Sequence, residues 1–265
     1  MSMEDKEHLG DFAYRQLLQR LIDGRIPPGR RVSQQTLAEE MSIGLTPIRE
    51  AIRRMCDEGL LYQKPQSGTF VVEPDRRTLR EVYEVRCALE VQAVLTAAGK
   101  MSIADFAQLE TAFRGTRRVA QKLRRSGMAA LDENLTREFL EADMLYHHTI
   151  MRAAGNVYAM KIISTGQIRN RAFGYHSHFR DLKHVAWVYR IHSQIARALR
   201  RGDVAAAADF MRRHIHRSMT EALEAFDRKA ARNHPTYMRD QSLVVNINEI
   251  LQKGFLKNPA KSSNR

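Results

Sequence analysis

The chain has 265 residues, of which 43% are hydrophobic and 28% charged, with a formal net charge of +13. That length suits two modest domains with real cores. No stretch nears the roughly 20 apolar residues of a membrane span, and two cysteines, Cys56 and Cys87, are too few for a disulfide framework. The charge is unevenly divided: residues 1–75 hold 10 Lys/Arg against 12 Asp/Glu, a net of −2, whereas residues 76–265 carry +15, so the global excess of base is no sign by itself that the first part binds nucleic acid.

The acidic, polar start MSMEDKEHLG does not read as a signal peptide, and both cysteines sit in helix-like apolar patterns, as buried free thiols of a reducing cytoplasm would. From Phe12 to Ile22, Leu17, Leu18, Leu21 and Ile22 have helical spacing, which ends at Asp23-Gly24. Ile26-Pro27-Pro28-Gly29 is a rigid turn. Ser33 caps a short helix carrying Leu37, Ala38 and Met41, and Ile43-Gly44-Leu45 turns tightly. Thr46 is the expected N-cap of the next helix, with Pro47 at its first position; Ile48, Ala51, Ile52 and Met55 make its apolar stripe and Gly59 closes it. Leu60–Tyr62 and Thr69–Val72 are short β-prone runs around a turn at Lys64–Gly68. Three helices and a hairpin in about 65 residues is the winged helix-turn-helix layout.

After Glu73-Pro74-Asp75 only helical periodicity recurs, with breaks near 99–102, 126–127, 155–156 and 202–203, which predicts an antiparallel bundle of about six helices. The expected fold is thus mainly α: a winged helix-turn-helix over 1–75, an all-helical domain over 76–229, and a basic tail over 230–265 with one amphipathic stretch, Leu243–Leu251.

In a helix-turn-helix the second helix enters the major groove with its N-terminal residues toward the bases. Here that helix offers Thr46, Arg49 and Arg53, and the hairpin tip offers Lys64, Ser67 and Gly68 to the DNA backbone. Arg49, Arg53 and Arg54 could equally form a solvated face paired with Glu50, Asp57 and Glu58. The run RIPPGRRVSQQTLAEEMSIGLTPIREAIRRMCDEGLLYQKPQSGTFV resembles the DNA-binding domain of the GntR family of bacterial regulators, over about residues 12–73. The resemblance implies DNA contact by Thr46, Arg49 and Gly68. It also places Gln35 where some members have a contacting arginine. Gly44-Leu45 departs from the family's Ser/Thr-Arg before Thr-Pro and removes one base-reading arginine.

In the bundle, Asp143 and His147 are four apart and project from one helix face. His192 and His214 are 22 apart around Gly202-Asp203; their midpoint is residue 203, so each lies about 16 Å from the turn, side by side on an antiparallel pair. Packed together, the two half-sites would offer one carboxylate and three imidazoles, a set suited to Zn²⁺ or Ni²⁺. Histidines on helices are as readily surface or hydrogen-bonded core residues, and His176, His178 and His184 read as solvated in a polar, loop-like stretch.

Residues 76–228, with LREVYEVRCALEVQAVLTAA, then Asp-x-x-Tyr-His followed by Ala-Ala-Gly-Asn, then the spaced histidine pair, resemble the FCD effector domain of the FadR branch of that family. The resemblance implies that Asp143, His147, His192 and His214 bind a divalent metal which helps to hold a small organic acid. Arg86 would meet that carboxylate or pair with Glu90, and Asn156 would line the pocket or cap a helix. The expected protein is a cytoplasmic homodimer on a double-stranded DNA operator, with no membrane partner and no catalytic residues. Three alternatives differ in their use of the metal: direct metal sensing, a metal-stapled DNA protein without effector, and a metal-dependent hydrolase.

Overall fold

A computed structural model describes residues 3–73, 75–172 and 180–232; the Leu243–Leu251 stretch and both His176 and His178 lie outside them. The N-terminal part runs α1 (Met3–Ile22), β1 (Arg31–Val32), α2 (Gln34–Met41), α3 (Leu45–Asp57), β2 (Leu61–Lys64) and β3 (Gly68–Val71). The Ser33 hydroxyl accepts from Thr36 N–H and starts α2. The strands form one antiparallel sheet in the order β1-β3-β2, with Arg31 opposite Phe70 and Gln63 opposite Thr69. Two residues of β1 are too few to show a period of two, so sequence patterning anticipated only the hairpin. α3 buries Pro47, Ile48, Ala51, Ile52 and Met55 against Ala13, Tyr14 and Leu17 of α1, all in one core, and leaves Thr46, Arg49 and Arg53 exposed.

The expected start of α3 needs correction. The N-cap is Gly44, Leu45 is the first helical residue, and Pro47 is the third. The amides of the first helical turn lack intrahelical partners, so a missing N–H is tolerated at the third position as at the first. Thr46, inside the helix, does not cap it.

Six helices follow in the described residues: α4 (Arg76–Ala97), α5 (Ile103–Ser126), α6 (Glu133–Ala154), α7 (Val157–Ala172), α8 (Leu182–Arg201) and α9 (Val204–Arg232). Their starts are written in the sequence as caps: Asp75, Ser102, Asp132 and Asp181 each accept from an amide three residues on. α5 runs against both α6 and α8, closely enough that a Cβ at Gly115 would meet the Ala142 methyl at 2.9 Å. The α8–α9 turn fixes the site. Gly202 takes φ 72°, and its N–H closes on the carbonyls of Ala198 and Leu199, a conformation that costs a side-chain-bearing residue more. The Asp203 carboxylate then accepts from Ala206 N–H and starts α9. Both cysteines are free and half-buried.

Candidate metal centre and DNA-facing surface

Asp143 and His147 of α6, His192 of α8 and His214 of α9 converge, with one ligand atom from each lying within 4.8 Å of all the others. All three histidines use Nε2. The His147–His214 separation is 3.0 Å and His192–His214 is 3.3 Å; Asp143 Oδ1 is 3.7 Å from His147 Nε2 and 3.6 Å from His192 Nε2. A first-row divalent ion with bonds of about 2.0–2.1 Å spaces adjacent ligands about 2.9–3.4 Å apart; the His147–His214 and His192–His214 separations fall in that range, and the two Asp143 separations are a few tenths of an ångström wider. Across 3 Å two such nitrogens must share either a proton or a cation: the protonated His147 can donate to His214, and a divalent ion can take that proton's place and engage all four atoms at once. The donor set therefore fits a divalent metal.

Each ring is fixed from behind. The His147 Nδ1–H donates to Glu90, a residue of α4, in a short hydrogen bond, which turns Nε2 toward the cluster. The Arg86 Nε donates in turn to Glu90 at 2.5 Å. Tyr146 stacks on His192 with ring centroids 3.9 Å apart, and its hydroxyl donates to the His192 carbonyl. Trp187 stacks on His214 at 5.6 Å. The three imidazoles are 0–1% exposed, whereas the Asp143 side chain keeps 21% of its surface, so approach to the cluster is from the Asp143 side.

The charges follow from burial and neighbours. Burial pushes His192 down to about 3 and His214 well below the usual histidine range, which keeps both neutral and able to ligate. Burial opposes the charged form of His147 too, but Glu90 and Asp143 outweigh it and raise that imidazole to about 9. Burial would lift Asp143; the surrounding imidazoles hold it well below its ordinary value. Glu90, with Arg86 and His147 overcoming burial, is held at about 2.

Of the other sequence-derived candidates, Arg86 is only 11% exposed and committed to Glu90. Asn156 is exposed, and its side chain accepts from Ala159 N–H at the start of α7. It stands 13 positions beyond Asp143, roughly 20 Å along a helical rise, and is not brought to the cluster. His184 is not solvated as expected. Asp181 caps α8 just before it, and its ring lies half-buried against Phe139, with Nδ1 2.9 Å from Glu221. Sequence reading saw Glu90 only as a partner for Arg86 and missed its hydrogen bond to His147; a buried glutamate on a helix stripe was the available signal.

On the N-terminal part, Gln35, Leu45, Arg49 and Gly68 line one concave surface with Arg31 and Thr69. Arg49 Nε donates to Gln34 Oε1 at 3.3 Å. Arg53 and Lys64 are exposed. Arg54 turns away, paired with Asp11 and Glu58 and lying 3.8 Å over the Tyr14 ring.

A three-stranded wing beside a helix-turn-helix, followed by a helical domain with a buried ligand cluster, defines a transcription regulator of the DNA-binding kind. Residues 9–71 match the family described as "Bacterial regulatory proteins, gntR family", and residues 81–217 match the FCD domain. The chain belongs to the GntR family and carries its FCD domain. It is 30% identical over 205 residues to an "Uncharacterized HTH-type transcriptional regulator in unstable DNA locus" of Streptomyces ambofaciens, covering 76% of this chain and 80% of that one. With the gluconate operon transcriptional repressor of Bacillus subtilis it shares 26% over 147 residues, 56% of each chain. The solved structure of E. coli McbR/YncC shares the fold, with a TM-score of 0.63 at 18% identity over 82% of this chain and 98% of that one. These relatives are regulators, not enzymes, which removes the hydrolase alternative.

Proposed function

We propose that this regulator is a homodimeric repressor whose grip on operator DNA is set by a small organic acid, received at a divalent metal held by Asp143, His147, His192 and His214. Residues 1–75 form the DNA-reading unit, 76–229 the sensing unit and 230–265 a basic tail. The observation that carries the reading is the meeting of three Nε2 atoms and one carboxylate oxygen at ligand–ligand spacing in a bundle attached to a DNA-reading head. Zn²⁺ or Ni²⁺ suits these donors. When bound, the ion supplies a Lewis-acidic anchor for a carboxylate. Asp143, the one partly exposed ligand, is where that carboxylate enters.

On the DNA side, Arg49 reads bases, while Thr46 and the uncapped amides of the first turn of α3 face phosphate. Arg53, Lys64, Gly68 and Gln35 extend the contact. The acid controls transcription only by binding the DNA-free arrangement better than the DNA-competent one; a coupling of about 1–3 kcal/mol is enough. The test is operator affinity titrated with Zn²⁺ or Ni²⁺ alone and with metal plus a panel of organic acids, alongside native mass spectrometry. The reading predicts one ion per chain and operator release by an acid only when metal is present. Release by metal alone would replace it with direct metal sensing.

Two results follow from the chemistry of His147. It is raised to about 9, so near pH 7 its Nε2 carries a proton that the metal must displace. About one proton should be released per ion, and the apparent Kd should fall about tenfold per pH unit from 7 until it levels near 9. Calorimetry in buffers of different ionisation enthalpy reads this directly. Replacing Glu90 with Gln removes the charged acceptor behind Nδ1. Metal affinity should then drop about 10–100-fold, with all four ligands still present; a competition titration against a chromophoric chelator measures it.

A further inference from the structure

One buried charge near the cluster has no carboxylate partner among the described residues. Arg180 is 5% exposed, its carbonyl is tied to Leu131 N–H, and its guanidinium lies 5.5 Å from the Phe139 ring centroid. Among the described residues its Nε meets no acceptor and no carboxylate pairs with it. The ionisable groups that it senses are Tyr83, Asp143 and Glu221. Both acids are engaged elsewhere: Glu221 with Arg217 at 2.8 Å and with His184, and Asp143 with the imidazoles. Arg86, by contrast, is neutralised by Glu90. An unpaired guanidinium out of water is costly, and the cation–π contact with Phe139 recovers only part of that cost. An arginine fork is built for a planar or tetrahedral oxyanion.

We propose that Arg180, not Arg86, is the anion-receiving side chain of the effector pocket, and that the effector is a small acid with two anionic groups, one for the metal and one for Arg180. This rests on the metal-held acid proposed above. Arg180 lies against Phe139, one helical turn before Asp143 on α6, and is near enough for the Asp143 charge to act on it, so the two proposed anchors stand about one helical turn apart, which favours a short diacid of four or five carbons. A monocarboxylate would leave the guanidinium unpaired.

The experiment uses the full chain loaded with Zn²⁺, with malonate, succinate and glutarate against acetate and butyrate, read by thermal shift and calorimetry. Succinate or glutarate should bind better than either monoacid. Arg180→Met should weaken diacid binding about 30-fold or more and erase the preference for diacids, while elemental analysis still finds the wild-type metal content. Without ligand, that variant should unfold at or above the wild-type temperature, because an unpaired charge has been removed; an arginine with a purely structural role would lower it. Arg180→Lys keeps the charge, loses the fork, and should cost about tenfold, which preserves the test if the Met variant does not fold. Unchanged diacid affinity in the variants, or monoacids that bind as well as diacids, overturns the assignment. Arg180-dependent diacid binding by the metal-stripped chain would uphold the anion site and refute the metal-held effector.

Discussion

A chain carrying His214→Ala should purify with almost no divalent metal and should gain nothing in thermal stability when Zn²⁺ or Ni²⁺ is added. His214 is the hub of the cluster: its Nε2 lies 3.0 Å from that of His147 and 3.3 Å from that of His192. Removing it takes away the nitrogen nearest to both other imidazoles and leaves a void in the buried cluster, so the two imidazoles and the carboxylate that remain lose the ligand that holds them around one point. In the wild type, metal at about 1,000 times its Kd stabilises the native state by about 4 kcal/mol, which for a domain of this size moves the melting temperature by roughly 10 °C. That whole increment should vanish in the variant. Asp143→Asn is the conservative companion. It keeps an oxygen donor of similar shape but removes the charge that opposes the ion, so it should retain metal at lower affinity. A His214→Ala protein that still carries one ion per chain would remove the cluster from consideration.

The pH dependence separates the metal from the fold. In the metal-free chain the stability contributed by His147 is fully present below the ordinary histidine range, since its folded value is raised, and it is lost as pH climbs through about 9. Metal replaces that proton and gains affinity over the same interval. The difference in melting temperature between loaded and stripped chains should therefore widen from pH 7 to 9, the reverse of what a general loss of stability in base would give.

The four ligands were legible because each half-site is local. An i, i+4 pair on one helix is fixed by helical geometry, and a pair placed symmetrically about Gly202-Asp203 is fixed by the hairpin that those two residues build. Joining the halves required tertiary packing, and the resemblance supplied it. Glu90 and Arg180 were not legible for the complementary reason. Glu90 comes to His147 from 57 positions away, and Arg180, which precedes its helix, is buried against Phe139 of α6. No period or spacing announces such encounters. The hairpin and six bundle helices were readable from turn chemistry and caps, whereas α3 shifted by two residues because Thr-Pro and Gly-Leu-Thr-Pro satisfy the same helix-start rules. That shift has a consequence for DNA. Leu45, 38% exposed, becomes the first residue of α3, at the end that the proposed DNA contact turns toward bases, where it would offer only an apolar surface of the kind that packs on a thymine methyl.

With Leu45 in that place, base reading by hydrogen bonds falls on fewer side chains, and Arg49→Ala should cost more than it would where an arginine precedes the Thr-Pro. Arg49 is exposed on α3, one turn in from Leu45, and is steadied toward the concave surface by Gln34. A bidentate arginine–guanine contact carries about 1–3 kcal/mol of discrimination, up to about a hundredfold. Its loss should bring operator affinity down toward that for unrelated duplex. Arg53→Ala and Lys64→Ala provide the contrast: as phosphate contacts they should weaken all sequences alike and lower the salt slope by about one each. Fluorescence anisotropy on operator and scrambled duplexes at two salt concentrations distinguishes these patterns. The arginine is a base reader only if its removal erases the difference between the two duplexes while the salt slope for scrambled DNA stays put; a footprint retained by Arg49→Ala would return it to the solvated face that the charge pattern alone allows.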